Sequence, residues 1–447
     1  MPNNPPDELL GRIKSVPKQL DLLVADMNGV PRGKTVGAGF LESNELPHLA
    51  AAIFFHTITG TYAAAMTKYN AKDEDLLLDI DWDTYRPTPW KGKDHSQVIC
   101  QSLDKNMQAI QFDPRNVLER VIAKYAEQGL FPIVAPEVEF YLVEPGRAGD
   151  LEMIPAPGTD QRVESTGEAF SVDALDKYSA FINDVQHMAE EMNIPLSAIV
   201  HEIGPAQIEL KIGHGDPLSR ADQLFLLKRL VKGCALRHGY SATFTAKPML
   251  ELPGSGMHVH TSVNDAQGDN LFALKNDLAP DALRYFIGGL QKYIPRAFAL
   301  VAPNVNSFKR FVPGLSAPIN LAWGYDNRTT GFRVPFGDAQ NGRVENRIAG
   351  ADANPYLLIA ASLACGLLGL NDALDPGEPV EKDAYKMKSD LPRDIHEALR
   401  SLESDENLTE LLSQPFIDIF VSVKRNELAH FATQITPWEI QYLGGIL

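Results

Sequence analysis

Pro136-Glu137-Val138-Glu139-Phe140 places two carboxylates inside an otherwise apolar run, and this stretch decides both the fold and the chemistry of the chain. Residues two apart in a β-strand point to the same face, so Glu137 and Glu139 project together while Val138 points away. The apolar residues that flank the pair predict a central strand: Ile133, Val134, Phe140, Tyr141 and Leu142. A solvated strand face is the alternative. Two buried carboxylates side by side require a positive charge between them.

Three further segments set polar residues among apolar ones in a similar way. Gly256-Met257-His258-Val259-His260 puts two imidazoles on one strand face, and Arg343-Val344-Glu345-Asn346-Arg347 alternates charges in the same manner. Glu202 and Glu209 are an odd number of residues apart, so they share a face only if Gly204-Pro205 forms a bulge or a turn. Taken singly, each segment has an ordinary explanation, such as histidines that satisfy hydrogen bonds in a core. Together they predict a metal and polyanion site built on a sheet.

The number and type of these ligands indicate which metals the site takes. Five carboxylates and one or two histidines exceed the needs of one ion, and carboxylate-rich sites suit Mg²⁺ or Mn²⁺ better than Zn²⁺. Two divalent ions beside an arginine cluster are typical of phosphoryl transfer. The arginines of this cluster are Arg310, Arg328, Arg333, Arg343 and Arg347, of which two or three are alternatively surface ion-pair formers. The sequence has no Walker A motif and no kinase glycine-rich loop, so the nucleotide is held in another way.

Bulk properties set the class of protein. A chain of 447 residues with 44% apolar residues predicts one large and one smaller domain. The net charge of −17 disfavours nucleic acid and anionic membranes as partners. Cys100, Cys234 and Cys365 are widely spaced and favour reduced core cysteines. Because no segment has the pattern of a signal peptide or the length of a membrane span, we expect a soluble cytoplasmic protein without membrane contact.

Local patterns divide the chain near residues 104–112, which gives domains over 1–108 and 109–447. Residues 20–25 and 32–36 predict a hairpin across Asn28-Gly29, because this dipeptide supplies the positive φ of a tight turn. Asp113-Pro114 has the cap and first-position residues of a helix start. Amphipathic or apolar runs predict further helices over residues 173–192, 218–238, 282–299, 355–370 and 414–431.

Ordered motifs along the chain carry a family resemblance. Besides the segments above, they are Gln207, Lys247-Pro248, Asn306-Ser-Phe-Lys-Arg-Phe-Val-Pro-Gly314, Asn327-Arg328, Arg333-Val-Pro335 and Asn354-Pro355-Tyr356. The chain resembles the glutamine synthetase superfamily over nearly its whole length. The resemblance implies an α+β fold, with a small β-grasp N-terminal domain and a catalytic domain whose antiparallel sheet forms a funnel flanked by helices. It also implies a homo-oligomer, a hexameric ring or dodecamer, with active sites between neighbours.

The resemblance further implies roles for individual residues of this chain. One metal ion would be held by Glu139, Glu202 and Glu209, and the other by Glu137, His258 and Glu345. The residues that match ATP contacts are His260, Ser262, Arg328 and Arg333. Those that match glutamate contacts are Gly254, Arg310 and Arg347. The implied chemistry is activation of glutamate by ATP to γ-glutamyl phosphate and attack by an amine, with Arg347, Arg328 and Glu209 as catalytic residues.

Three departures from the family pattern concern the amine. Where the family has an Asp-Gly-Ser-Ser element that holds ammonium, residues 56–65 (HTITGTYAAA) contain no carboxylate. Leu315-Ser316 follows Pro313-Gly314 where the family has a flap glutamate, and Leu252-Pro253 replaces Asp-Asn before the glycine-rich run. The loss of both ammonium-binding acids resembles the γ-glutamylpolyamine and γ-glutamylamine synthetases, γ-glutamylputrescine synthetase among them. The expected function is therefore ATP-dependent ligation of glutamate to an organic amine.

Two alternatives remain open at this point: an ordinary glutamine synthetase that uses ammonium, and a catalytically silent ring with a structural or regulatory role. The complete set of metal ligands disfavours the silent ring. A polyamine would favour acidic residues at the entrance, for which the candidates are Asp73, Glu74 and Asp75. A monoamine would favour an apolar lining, for which the candidates are Phe54, Phe55, Tyr62 and Leu315.

Overall fold

A computed structural model of the chain describes residues 18–41, 46–146, 152–165, 167–312, 314 and 317–444. Within them, the backbone forms a five-stranded sheet near the N-terminus and an eight-stranded sheet in the remainder. Helices pack against both sheets and join them into one apolar core. The fold is therefore α+β, as the sequence predicts.

The N-terminal sheet has the strand order β2-β1-β5-β4-β3. Its strands are β1 Gln19–Ala25, β2 Pro31–Gly37, β3 His48–Ala50, β4 Asp75–Pro87 and β5 His95–Leu103, with two short helices, α1 Ala38–Leu41 and α2 Met66–Tyr69. The predicted hairpin is confirmed, since Leu20 pairs with Val36 and Gly29 has a φ of 71°. Strands β1 and β5 run parallel while their neighbours are antiparallel, which gives the small β-grasp domain that was expected.

The second sheet has the order β11-β12-β13-β10-β6-β8-β7, with β9 also paired to β6. Its strands are β6 Phe131–Val143, β7 Leu196–His201, β8 Gln207–Ile212, β9 Ser241–Thr243, β10 Met257–Asn264, β11 Trp323–Tyr325, β12 Phe332–Val334 and β13 Val344–Asn346. The strand that carries Glu137 and Glu139 is central, with β8 on one side and β10 on the other. The sheet is antiparallel except for β11 and β12, which pair in parallel.

Helices surround this sheet: α3 Pro114–Ala126, α4 Val172–Asp176, α5 Ser179–Glu191, α6 Pro217–Arg237, α7 Asp281–Tyr293, α8 Phe298–Val301, α9 Pro355–Asp372, α10 Ile395–Glu403, α11 Glu406–Leu412, α12 Gln414–Phe431 and α13 Pro437–Tyr442. The helix predicted over 173–192 is two helices, because Tyr178 has non-helical angles and donates its hydroxyl hydrogen to Ala156 O at 3.1 Å. The helix predicted over 282–299 ends at Tyr293, because Pro295 cannot continue it.

Helix α9 links the two sheets. Asn354 caps it by accepting from Tyr356 N, and the same side chain donates to Asp26 O in the turn after β1. By length and composition α9 is long and apolar enough to cross a membrane, whereas the sequence predicted no segment of that length. However, 78% of α9 is buried inside the protein. Its apolar surface is therefore explained by core packing. The three cysteines are buried and unbonded.

Candidate active site

Four strands place their charged residues on one face of the second sheet. Across β6, Glu137 pairs with His258 of β10 and Glu139 pairs with Glu209 of β8. One strand further on, His260 of β10 pairs with Glu345 of β13. Residues directly opposite in antiparallel strands have Cβ atoms about 4.5–5.5 Å apart. The strand register therefore brings together ligands as far apart in the chain as Glu137 and Glu345.

Side-chain distances show two overlapping groups around Glu137. In the first, ligand atoms of Glu137, Glu209 and His258 lie within 4.8 Å of one another, and in the second those of Glu137, His260 and Glu345 do. His260 Nε2 is 3.0 Å from Glu137 Oε1, and His258 Nδ1 is 3.5 Å from Glu345 Oε1. The predicted second ligand set, Glu137, His258 and Glu345, is thus gathered in one place. The assignment of these three residues to one metal ion, and of Glu139, Glu202 and Glu209 to the other, stays a prediction.

Glu202 approaches this face through a turn. Strand β7 ends at His201, and Glu202 N donates to Gln207 O at 2.8 Å, so the Gly204-Pro205 segment forms a turn between β7 and β8. Glu139 is oriented from the other side, since its Oε2 accepts from Gly256 N at 2.8 Å and from Gln207 Nε2 at 3.3 Å. Backbone and amide donors therefore hold Glu139 while its other oxygen faces His258.

The electrostatics of the cluster favour bound cations. Burial, together with the charges of Glu137 and Glu139, raises the pKa of Glu209 to about 8, and burial with Glu139 raises the pKa of Glu202 to about 7. Burial also opposes the ionisation of Glu137, but hydrogen bonds with His258 and His260 lower its pKa. Acids that repel one another in a buried site are the donor set that divalent cations neutralise. The residues present therefore fit Mg²⁺ or Mn²⁺.

Arginines form the opposite wall of the site. Arg347 and Arg333 contact the two oxygens of Glu345 at 2.5 and 2.8 Å. Burial opposes the ionisation of Glu345, but Arg347 and the two histidines lower its pKa to about 2. Arg310 is buried and donates to Ile348 O at 2.7 Å. A Cβ at Gly254 would lie 2.7 Å from Arg310 Cγ, so only glycine allows this approach.

Several polar atoms of this wall are available to a ligand. Within the part of the chain that the structure describes, Arg310 Nε, Arg347 Nε and His260 Nδ1 are buried and have no hydrogen-bond partner. Buried donors without a partner are rare in folded proteins and commonly mark a ligand or an ion. This observation agrees with the predicted anionic substrate beside Arg310 and Arg347, and those assignments stay predictions.

The structure places two of the four residues predicted to contact ATP in one cavity and the other two outside its lining. His260 and Ser262 line a cavity of about 430 Å³ that also includes Glu137, Lys211 and Arg343. Arg333 stands beside Glu345 rather than in that cavity. Arg328 is exposed and has no hydrogen bond among the described residues. The cavity is therefore the candidate nucleotide pocket, and Arg328 would have to reach it from the rim.

Lys211 is a site residue that the sequence analysis missed. Its Nζ lies 2.9 Å from Glu137 Oε1 and 3.0 Å from Glu209 Oε1. Burial opposes its charge, but Glu209 and Glu137 raise its pKa. The signal was present in the sequence, because Lys211 is two residues after Glu209 and therefore shares its face of β8. In this structure the ammonium group balances the acids of the candidate metal site.

Lys211→Met should raise the affinity of the site for Mn²⁺ by about tenfold or more, because it removes a competing cation within 3 Å of two proposed ligands. Calorimetric titration of the enzyme with Mn²⁺, in the absence of nucleotide, measures this change. Lys388→Met, which removes an exposed lysine, is the matched control and should bind as the unmodified enzyme does. Unchanged or weaker binding by Lys211→Met would show that the lysine does not compete with the metal.

The segment that lacks the ammonium-binding acid forms a loop on the N-terminal sheet. His56 and Tyr62 form an antiparallel bridge, and their rings meet edge to face at 5.4 Å. Inside the loop, the buried Thr57 hydroxyl bonds to the hydroxyl groups of Thr59 and Thr61. Outside it, the side chains of Ile58 and Tyr62 are 64% and 53% exposed. Hydrogen bonds among the threonine hydroxyl groups therefore stabilise the loop, and the side chains of Ile58 and Tyr62 form an exposed apolar surface.

Other predicted amine contacts have different positions. Phe54 and Phe55 are fully buried and pack against Phe112, so the prediction that they line an amine pocket is wrong. The acidic candidates Asp73, Glu74 and Asp75 are exposed. Leu315 and Ser316 lie outside the described residues.

A family model, the catalytic domain of glutamine synthetase, matches residues 111–443. The chain belongs to the glutamine synthetase family. It is 34% identical over 432 residues to gamma-glutamylputrescine synthetase PuuA of Escherichia coli (strain K12), covering 95% of this chain and 91% of that protein. It is 32% identical over 436 residues to a glutamate–isopropylamine ligase of Pseudomonas sp, covering 93% and 92% of the two chains. Other relatives of similar identity are glutamine synthetases.

Among solved structures, a GmaS/ADP complex superposes with a TM-score of 0.85 at 29% identity, over 97% of this chain and 98% of that one. Members of the glutamine synthetase family use ATP and divalent metal ions, in agreement with the acidic and histidine clusters on the sheet. The chain is accordingly an ATP-dependent ligase that forms a C–N bond between glutamate and an amine.

Proposed function

We propose that this enzyme joins the γ-carboxylate of glutamate to an organic primary amine and releases a γ-glutamylamide. The observation that carries the proposal is the loop at residues 56–65, which has no carboxylate and exposes Ile58 and Tyr62. Two relatives whose names state an amine substrate, putrescine and isopropylamine, support it.

The residues of the sheet have distinct roles in the first step. Mg²⁺ or Mn²⁺ would be held by Glu139, Glu202 and Glu209 and by Glu137, His258 and Glu345, and would neutralise charge on the transferred phosphate. His260 and Ser262, with Arg328 and Arg333, hold ATP. Arg310 binds the α-carboxylate of glutamate beside Gly254. Arg347 stabilises the γ-carboxylate as it becomes γ-glutamyl phosphate.

In the second step the amine nitrogen attacks the acyl carbon of γ-glutamyl phosphate, the bond from this carbon to the phosphate oxygen breaks, inorganic phosphate leaves, and the nitrogen loses a proton. Glu209 is the candidate base, because it is a buried carboxylate on the face of β8 that carries the proposed ligands. Solvent is the alternative acceptor. In both cases the amine must be unprotonated when it attacks, so the rate should rise toward alkaline pH as the free amine becomes populated.

The choice of an organic amine over ammonium follows from hydration. Ammonium is small and strongly hydrated, so a site must offer carboxylates in place of its water. A primary amine brings carbon that can bury against Tyr62 and its neighbours, at about 0.8 kcal/mol per methylene. Two or three methylenes would therefore favour the organic amine by roughly tenfold or more.

The same loop supports an oligomeric site. Tyr62 is 53% exposed, and a neighbouring subunit would cover it. In a hexameric ring or a dodecamer, the N-terminal domain (residues 1–108) of one subunit would complete the active site in the catalytic domain (residues 109–447) of the next. The apolar surface of the loop would then be buried against the neighbouring subunit.

The test compares kcat/KM for ammonium, ethylamine, isopropylamine, phenethylamine, putrescine and spermidine with glutamate and ATP saturating. At least one organic amine should exceed ammonium by about tenfold. Tyr62→Ala should reduce kcat/KM for the best amine but not for ammonium. Met107→Ala, which shortens an exposed side chain on another turn of the same domain, is the control. If ammonium equals or exceeds every organic amine, the enzyme is an ordinary glutamine synthetase.

A further inference from the structure

A second and larger cavity, of about 690 Å³, lies away from the metal cluster. Its wall is built from distant parts of the chain: the turn at residues 28–31, the tip at 58–59, the segment from α6 to residue 245, the segment 303–309, and helix α12, together with Asp352 and Ile395. Pockets of about 300–1,000 Å³ are the size that binds small molecules. The cavity therefore has the dimensions of a ligand site.

The walls of the cavity are largely apolar. Phe225 and Phe244 form one side, and Val305, Leu428 and Phe431 form the other. Small-molecule sites typically combine such walls with a few polar groups that orient the ligand. The apolar part predicts a ligand with a hydrocarbon or aromatic body.

Three of the lysines that line the cavity have no acidic partner within the described part of the chain. Among the described residues, no carboxylate lies within ion-pair distance of Lys228, Lys232 or Lys309. Lys228 Nζ donates to Ala351 O at 2.8 Å and lies 5.1 Å from the ring centre of Phe244. Lys232 Nζ lies 5.7 Å from the same ring. Two ammonium groups thus converge on one aromatic wall.

Two acids also line the cavity. Asp352 accepts from Asn304 and Ser307 through Oδ2 and leaves Oδ1 without a partner among the described residues, and Glu427 pairs with Lys424 at 2.9 Å. Burial, followed by the charge of Lys232, lowers the pKa of Lys228 to about 7. Lys228 is partly buried and its hydrogen bonds go to backbone carbonyls rather than to a carboxylate, so an anion placed beside it would be favoured. A local excess of lysines is notable in a chain of net charge −17.

We propose that this cavity binds a small organic anion, a carboxylate carried on an apolar body. The carboxylate would lie between Lys228 and Lys232, with Lys309 at the rim, and the body would lie against Phe244 and Phe225. The site is separate from the glutamate site. Lys309 and Arg310 are adjacent on one 3₁₀ turn, but the Arg310 side chain is buried and bonds to Ile348 O, whereas Lys309 is exposed on the cavity side.

Calorimetry on the intact enzyme tests the proposal with a pair of matched probes, 3-phenylpropionate and 3-phenylpropan-1-ol. Saturating ADP and glutamate are present, so that the active site is occupied. The carboxylate should bind at least about tenfold more tightly than the alcohol, because a hydrogen bond to a charged group contributes about 1.5–3 kcal/mol. Lys232→Met should weaken carboxylate binding by about tenfold, and Lys388→Met should not change it.

Three results would overturn the site: equal binding of the two probes, no binding of the carboxylate at millimolar concentration, and unaltered binding by Lys232→Met. Binding of the carboxylate in the absence of ADP and glutamate but not in their presence would also overturn it, since that result places the probe in the active site. Lys232 is exposed, so its replacement should leave the fold intact. Because binding is measured directly, the outcome is independent of which amine the enzyme uses.

Discussion

Glu137→Gln is expected to lower kcat by about 10³-fold or more while the enzyme remains folded. Glu137 is common to both ligand groups, and its oxygens face His258, His260 and Lys211. The glutamine keeps the shape of the side chain but removes the charge that holds a cation near the phosphates. Phosphate release with saturating ATP, glutamate and amine measures kcat, and thermal unfolding measures the fold.

Glu144→Gln is the matched control, because Glu144 follows β6 by one residue and is exposed. It should retain normal turnover. Excess chelator should abolish the activity of the unmodified enzyme, and added Mn²⁺ should restore it. Full activity of Glu137→Gln, or of the unmodified enzyme in chelator, would refute the two-metal proposal.

Arg347→Ala should lower kcat by about 10²–10³-fold with a smaller effect on KM for ATP. The guanidinium is buried, is fixed by Glu345 at 2.5 Å, and has an Nε without a partner among the described residues. A donor held in this way is already oriented before charge develops on the γ-carboxylate, so its loss raises the barrier rather than weakening nucleotide binding. Steady-state kinetics with each substrate varied in turn separates the two effects.

Arg347→Lys should recover only part of this loss, because an ammonium group keeps the charge but lacks the planar fork of donors. Arg393→Ala is the control: its side chain is 89% exposed, and its pair with Glu397 is of the surface kind that contributes little. A variant at Arg347 with normal kcat and a raised KM for ATP alone would assign this arginine to the nucleotide.

The placement of the metal ligands on one face could be predicted from the sequence because strand periodicity is local. Glu137 and Glu139, like His258 and His260, are two residues apart, so any β-strand puts each pair on one side. The turn between Glu202 and Glu209 was also recognisable, since glycine and proline interrupt the strand pattern. These features need no knowledge of distant contacts.

Register and long-range packing could not be predicted in this way. Nothing local says that Glu345 lies opposite His260, and this pairing makes Glu137 common to two groups. Phe54 and Phe55 have the composition of a pocket lining, but tertiary packing buries them against Phe112. The lysine-lined cavity joins segments hundreds of residues apart, so no sequence window contains it.

In the loop at residues 56–62, the backbone is constrained by hydrogen bonds but two side chains are not, and this difference bears on how the sequence can diverge. The backbone is fixed by Thr57 and by Glu427, which accepts from Ile58 N at 2.7 Å, whereas the side chains of Ile58 and Tyr62 are exposed. Replacements at exposed positions usually change stability by no more than about 0.5 kcal/mol. A lineage could therefore exchange Ile58 and Tyr62 without disturbing the sheet that activates glutamate. New amine acceptors would then arise by surface substitution, without any change to the catalytic strands.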